Sequence, residues 1–146
     1  MELSGLGGPW TVRTLTSLIR EHHPALVFLA ETKCPTHQVE VLKHKFDMFR
    51  FGVETVEKSG CLAVLWDKNT DVQLQSFSRN HIDVSIKLYA DKDWWRFTGF
   101  YGDPDVSKRD KSWKLLSNLR TQSARPWLCA GDFNELFISL RKQVDN

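Results

Sequence analysis

Two short stretches decide the fold, Ala25-Leu-Val-Phe-Leu-Ala-Glu-Thr-Lys33 and Pro126-Trp-Leu-Cys-Ala-Gly-Asp-Phe-Asn134. Each is a continuous apolar run that stops abruptly at an acidic residue. A strand with one wet face alternates apolar and polar residues, so a short run without alternation predicts a strand covered on both faces. Residues 25–30 and 126–131 are therefore expected to be buried strands. Glu31 follows the first, and Asp132 and Asn134 follow the second. In open α/β sheets, ligands bind beyond the carboxyl ends of the strands, where loops vary while the sheet fixes their roots. Hard oxygen donors in that position suit Mg²⁺, which uses one or two carboxylates with waters and substrate phosphate. On spacing alone a plainer reading stays open: Glu31 opens a surface loop, and Asp132 caps a helix beginning near Glu135.

On the N-terminal side of these runs, Val12, Leu15, Leu18 and Ile19 recur at helical spacing behind Pro9, and the pattern ends near Pro24. His22 and His23 are expected at the end of that helix. Thr36 is placed to cap a second helix carrying Val39, Leu42 and Phe46. The period then changes. Residues 48–53, 60–66, 72–77 and 82–88 read as strands with short polar connections, which predicts an antiparallel meander. Residues 94–101 form another strand, closed by Gly102-Asp103-Pro104, and Ser107 is expected to cap a third helix through Leu119. The order of elements predicts an α/β protein of the α+β mixed-sheet kind, with helices on the sheet faces.

Composition narrows the function. The chain has 146 residues, of which 41% are hydrophobic and 12% aromatic, enough for one domain with a substantial core. A formal net charge of +2 excludes a polycation that holds nucleic acid by bulk charge, so any such role needs a local site. Three cysteines without C-x-x-C spacing argue against a zinc site or a disulfide framework, and Cys61 and Cys129 read as buried free thiols. No apolar stretch approaches the roughly 18 residues of a membrane span, and the N-terminus lacks the features of a secretory signal. The expected location is nuclear or cytoplasmic, with no membrane partner.

The motifs around the two decisive stretches carry a resemblance. The chain resembles the endonuclease/exonuclease/phosphatase superfamily, and within it the endonuclease-like domains of plant non-LTR (LINE-type) retrotransposon proteins. The carriers are Gly5-Leu-Gly, Arg20 to Lys33, Gly60-Cys-Leu-Ala-Val-Leu-Trp66, Asn80-His-Ile-Asp-Val84, Trp95 to Gly102, and Pro126 to Glu135. The Leu-Ala-Glu-Thr-Lys and Gly-Asp-Phe-Asn blocks are the most specific. The resemblance implies a four-layer α/β sandwich, here mainly its first half, and Mg²⁺-dependent phosphodiester hydrolysis of DNA, with Mn²⁺ as a substitute. It assigns Glu31 to the metal, Tyr101 to a contact with the scissile phosphate, Asp132 to orienting or protonating in the cleavage step, and Asn134 to stabilising the phosphoryl group. These roles are chemically coherent, because a metal and neutral donors can hold phosphoryl oxygens as charge builds.

The departures shape further expectations. The strand that opens the family, ending in an asparagine, is expected to be missing, with Glu2 in the asparagine's place. The family's late Ser-Asp-His motif has no counterpart, since the sequence continues for only 12 residues after Asn134 and all five histidines precede it. His81, at the start of an alternating strand, is expected to be exposed or to satisfy a turn rather than to act as a base. The chain thus reads as an N- and C-terminally truncated domain over residues 1–137 with a polar tail at 138–146, catalytically incomplete by itself. The alternative is a non-catalytic retroelement-derived remnant that binds or self-associates through an exposed sheet face. A further possibility is nucleic-acid binding by Trp94, Trp95, Arg96 and the charged run from Lys108 to Lys111.

Overall fold

A computed structural model of the chain describes residues 2–4, 9–32, 36–53, 61–89, 92–103 and 105–133. In chain order these form β1 (Glu2–Ser4), α1 (Pro9–His22), β2 (Leu26–Thr32), α2 (Thr36–Lys45), β3 (Met48–Val53), β4 (Cys61–Asp67), β5 (Asp71–Phe77), β6 (His81–Lys87), β7 (Trp95–Tyr101), α3 (Arg109–Thr121) and β8 (Trp127–Asp132). The strands make two four-stranded sheets, ordered β1-β2-β4-β3 and β5-β6-β7-β8. β1 is parallel to β2 and β7 to β8, and all other neighbours are antiparallel.

The apolar run of β2 is buried on both faces, as its lack of alternation requires. Val27 and Leu29 pack with Leu15 and Ile19 of α1 and Val39 and Leu42 of α2. Phe28 and Ala30, on the other face, join Leu62, Val64, Ile82, Val84, Ile86 and Phe97 in the core between the sheets. Complete burial of a ring such as Phe28 contributes about 1.5–3 kcal/mol. α1 ends where His23 adopts a positive φ of 45° and its N–H bonds the Ile19 carbonyl at 2.9 Å, just before Pro24. On the second sheet the residues between Ile82, Val84 and Ile86 point away from the core toward α3. Arg96 bonds the Leu119 carbonyl and fixes the helix there. The result is the expected mixed α+β sandwich of four layers, helices outside and sheets inside.

Four expectations are corrected. The opening strand is present, because Glu2, Leu3 and Ser4 pair with Phe28, Leu29 and Ala30; such pairing uses main-chain groups, and three residues leave no periodicity to detect. The meander is broken between β4 and β5. β4 already carries β2 on one edge and β3 on the other, so the turn at Asp67–Thr70 must deliver β5 to a second sheet. That second sheet has four strands closing the inner core, so no largely absent sheet leaves a bare apolar face there. Finally, Asp105 rather than Ser107 is the cap: its carboxylate accepts from the Ser107 N–H at 3.0 Å, opening a 3-10 turn at Val106–Lys108 that leads into α3. The polar tail at 138–146 lies outside the described residues.

Candidate active site

Two of the four site residues come together at the carboxyl ends of adjacent parallel strands. β7 and β8 pair in register from Arg96 opposite Trp127 to Tyr101 opposite Asp132. Both strands run to the last predicted residue, and Asp132 belongs to β8 itself. Main-chain bonds lock this end: the Gly102 N–H donates to the Asp132 carbonyl at 2.6 Å, and the Tyr101 N–H to the Asn80 carbonyl at 2.7 Å. The Asn80 side-chain amide returns a bond to the Tyr101 carbonyl at 2.9 Å.

Local backbone chemistry explains the close fit. Gly131 has φ of +145°, and a Cβ there would lie 1.8 Å from the Phe100 carbonyl oxygen, so only glycine allows β8 to approach β7 before Asp132. After Asp132, Phe133 stacks on Phe100 at 5.3 Å between ring centroids and on Trp113 of α3 at 6.5 Å. The aromatic ladder ties the exit from β8 to the outer helix. Tyr101 packs on the core between the sheets, as does Ala130, two residues before Asp132.

Across the sandwich, β2 touches both β7 and β8. The approach is close because Gly99 has no side chain. A Cβ at Gly99 would lie 2.3 Å from the ring of Phe28. Near Glu31 the ladder shifts: Leu29 pairs with Ala63 and Thr32 with Cys61, so β2 advances three residues while β4 advances two. A bulge of this kind re-aims a strand, and such bulges are common beside active sites. Glu31 lies within β2 rather than beyond it, with its side chain outside the described residues. Asn134 lies outside them altogether.

Among the described residues no group of three or more His, Cys, Asp or Glu stands ready to cage an ion. The residue types at these strand positions, Glu31 on β2 and Asp132 on β8, are chemically of the kind that suits Mg²⁺, which needs few protein ligands and keeps waters for substrate to displace. They do not suit a soft, closed metal centre.

His81 is buried, at 3% exposure, and satisfies the β5–β6 turn. Its Nδ1 pairs with the Ser78 hydroxyl at 2.6 Å and its Nε2 with that of Ser76 at 3.0 Å. Burial holds its pKa below the usual 6.5, and both ring nitrogens are occupied, so the ring is a structural element. Arg96, considered above as a nucleic-acid contact, is likewise structural. It is 2% exposed and donates to both oxygens of Asp83 at 2.7–3.0 Å. The sequence reading missed Asn80 as a brace for Tyr101 and the Trp113–Phe133 stack. Both depend on contacts between residues 20 or more apart, for which a sequence motif gives no spacing rule.

The comparisons with known proteins agree with this fold. The sequence profile described as Endonuclease/Exonuclease/phosphatase family matches residues 7–140. The fold is similar to the endonuclease domain of TRAS1, a telomere-specific non-LTR retrotransposon, at TM-score 0.68 and 14% identity, covering 91% of this chain and 57% of that one. It is similar to a humanized D. rerio TDP2 at TM-score 0.68 and 13% identity, covering 97% and 69%. It is also similar to a Bacteroides thetaiotaomicron mannosyl-6-phosphatase at TM-score 0.65 and 13% identity, covering 91% and 64%. No curated protein sequence matches the chain. The chain spans between 57% and 71% of the length of the first four solved chains it resembles.

Proposed function

The chain belongs to the endonuclease/exonuclease/phosphatase family, and from that premise we propose that it is a phosphodiester-hydrolase domain acting on DNA with Mg²⁺ or Mn²⁺. The carrying observation is the in-register pair Tyr101 and Asp132 at the ends of β7 and β8, facing a bulged β2 that carries Glu31. The likeness to a retrotransposon endonuclease domain supports DNA as the substrate, and the likeness to a mannosyl-6-phosphatase makes a small phosphate ester the competing substrate class.

In this reading Glu31 holds the divalent ion. When bound, the ion supplies charge neutralisation at a phosphoryl oxygen. The Tyr101 hydroxyl and the Asn134 amide donate to other oxygens of the same phosphate as their charge rises. Asp132 orients the attacking water or passes a proton toward the leaving oxygen. A bond forms from water oxygen to phosphorus, the phosphorus–oxygen ester bond breaks, and the proton ends on the departing hydroxyl.

A strong general base is not among these groups. The five histidines all precede Asn134, and His81 is engaged by two serines. Lacking such a base costs about 10²–10⁴ in rate, so the four groups named here act slowly by themselves. The test is nicking of supercoiled plasmid under Mg²⁺ or Mn²⁺. Weak, chelator-sensitive nicking lost in Glu31→Ala and Asp132→Ala is expected. Nicking indifferent to both substitutions would remove the proposal, and robust nicking would remove its slow rate. The binding or self-associating remnant keeps one supporting observation: Leu128 is 53% exposed on β8, at the end of its sheet's strand order. A concentration-dependent mass by light scattering that Leu128→Lys reduces would favour it.

A further inference from the structure

Beside the Tyr101 end of β7 lies a groove of about 350 Å³ whose lining includes Leu115 along with charged and polar side chains. Arg79 and Asn80 of the β5–β6 turn form one wall, Lys108 and Lys111 at the start of α3 form the other, and Asp103 and Ser112 contribute to the lining. Three cations from two separate elements thus share one opening with a single carboxylate. That carboxylate already accepts the Asp105 N–H at 3.0 Å and so is partly committed to its own loop. In a chain whose formal net charge is only +2, this is a local concentration of positive charge rather than a sample of a basic surface.

The groove is coupled to the candidate active site through one residue. Asn80 lines it, and the same Asn80 holds the Tyr101 backbone through two hydrogen bonds. The cationic wall and the Tyr101 strand end therefore lie at the same end of the second sheet and share Asn80. A small phosphate ester has only one phosphate to place and gains nothing from the second position.

We infer that this groove takes a flanking backbone phosphate of a polynucleotide, so that the domain selects a polymeric phosphodiester over a monomeric phosphate ester. The inference rests on the hydrolase reading above for the position of the cleaved phosphate. The occupant is recognised by phosphate geometry and charge, not by base identity, since the lining offers lysine, arginine, amide and hydroxyl donors.

Binding tests this separately from catalysis. The probe is an end-labelled 20-base-pair DNA duplex, followed by fluorescence anisotropy across a KCl series in Ca²⁺ or without metal. Lys108→Ala/Lys111→Ala removes two exposed lysines and leaves the core intact, which a melting curve checks. It is expected to weaken binding about tenfold at low salt and to lower the salt slope by about 1, for the one flanking phosphate that the two lysines share. Lys43→Ala/Lys68→Ala removes the same charge on other elements and is expected to leave the slope nearly unchanged. Equal effects of the two pairs, no effect of either, or no measurable duplex binding by the unaltered chain would each overturn the inference. So would competition by inorganic phosphate as effective, per phosphate, as competition by unlabelled duplex, because the groove would then serve free phosphate. Lysine-dependent binding without any Asp132-dependent nicking would retain the groove and discard the hydrolase. Asp132-dependent nicking with lysine-independent binding would do the reverse.

Discussion

Asp83 and Asp132 sit in the same sheet, two strands apart, and their surroundings separate two uses of a carboxylate. Asp83 is 1% exposed in the middle of β6. It receives the Arg96 guanidinium on both oxygens and the Thr98 hydroxyl at 2.9 Å, while the Trp127 indole bonds Thr98 in turn at 2.8 Å. Arg96 also lies 5.1 Å above the Trp127 ring and bonds the Leu119 carbonyl. Every polar group in that cluster is directed at another, so the cluster fastens β6, β7, β8 and α3 together. Asp132 is half-buried at a strand end, beside Tyr101 and across from β2. An acidic residue in mid-strand under a helix must be neutralised to be tolerated, whereas a half-buried one at the carboxyl end keeps contact with solvent.

The largest effect is expected from breaking the first of these. Arg96→Ala leaves Asp83 buried without its counter-charge and should destabilise the chain by about 3–5 kcal/mol in urea titration, while Asp83→Leu/Arg96→Met should recover much of the loss. Full retention of stability in Arg96→Ala would mean that the pair does not hold the sheet to α3. Next in size is Gly99→Ala, which forces a Cβ into the Phe28 ring and pushes the sheets apart where the site closes. An overpacking cost of about 1–3 kcal/mol is expected, with loss of any metal-dependent nicking.

A smaller effect concerns pH. Burial lowers the folded pKa of His81 relative to the unfolded value near 6.5. The unfolded chain then binds the proton more readily, so the contribution to stability is present above about pH 6.5 and is lost as pH falls below it toward the folded pKa. The melting temperature should drop between pH 7 and pH 5, and His81→Gln should flatten that part of the profile. An unchanged slope would place the acid sensitivity elsewhere. The least effect on stability, within about 0.5 kcal/mol, is expected from Asp132→Asn, although it should abolish nicking. A large stability loss there would erase the contrast with Asp83.

β2 was legible because burial on both faces removes alternation. β8 appears within two residues of its expected limits, but the expectation of burial on both faces is corrected there, since β8 ends its sheet's strand order and leaves Leu128 53% exposed. The strand-end position of Asp132 was legible from the apolar run before it, and that of Tyr101 from the strand closed by Gly102-Asp103-Pro104. Their exact partnership was not, because parallel pairing of β7 with β8 is set by the α3 crossover rather than by any local residue. Other features were hidden for similar reasons. β1 is too short to show a period, and the switch of sheets after β4 depends on β4 having both edges filled. Arg96 read as a nucleic-acid contact because burial of a paired charge leaves no sign in hydropathy. Cys129 was read as a buried thiol and is half-buried; that partial burial, with Asp83 nearby, pushes the thiol up to about 11, so it should alkylate slowly at neutral pH.

The central claim is that the ends of β2 and β8 form one site for a divalent cation. Paramagnetic Mn²⁺ titrated into isotopically labelled protein tests it most directly, with backbone amide broadening as the readout. Broadening should be confined to residues 30–32, 101–102 and 131–133 and should disappear in Glu31→Gln. Broadening centred on another acidic turn such as Asp67–Asp71, or unaltered by Glu31→Gln, would contradict the account.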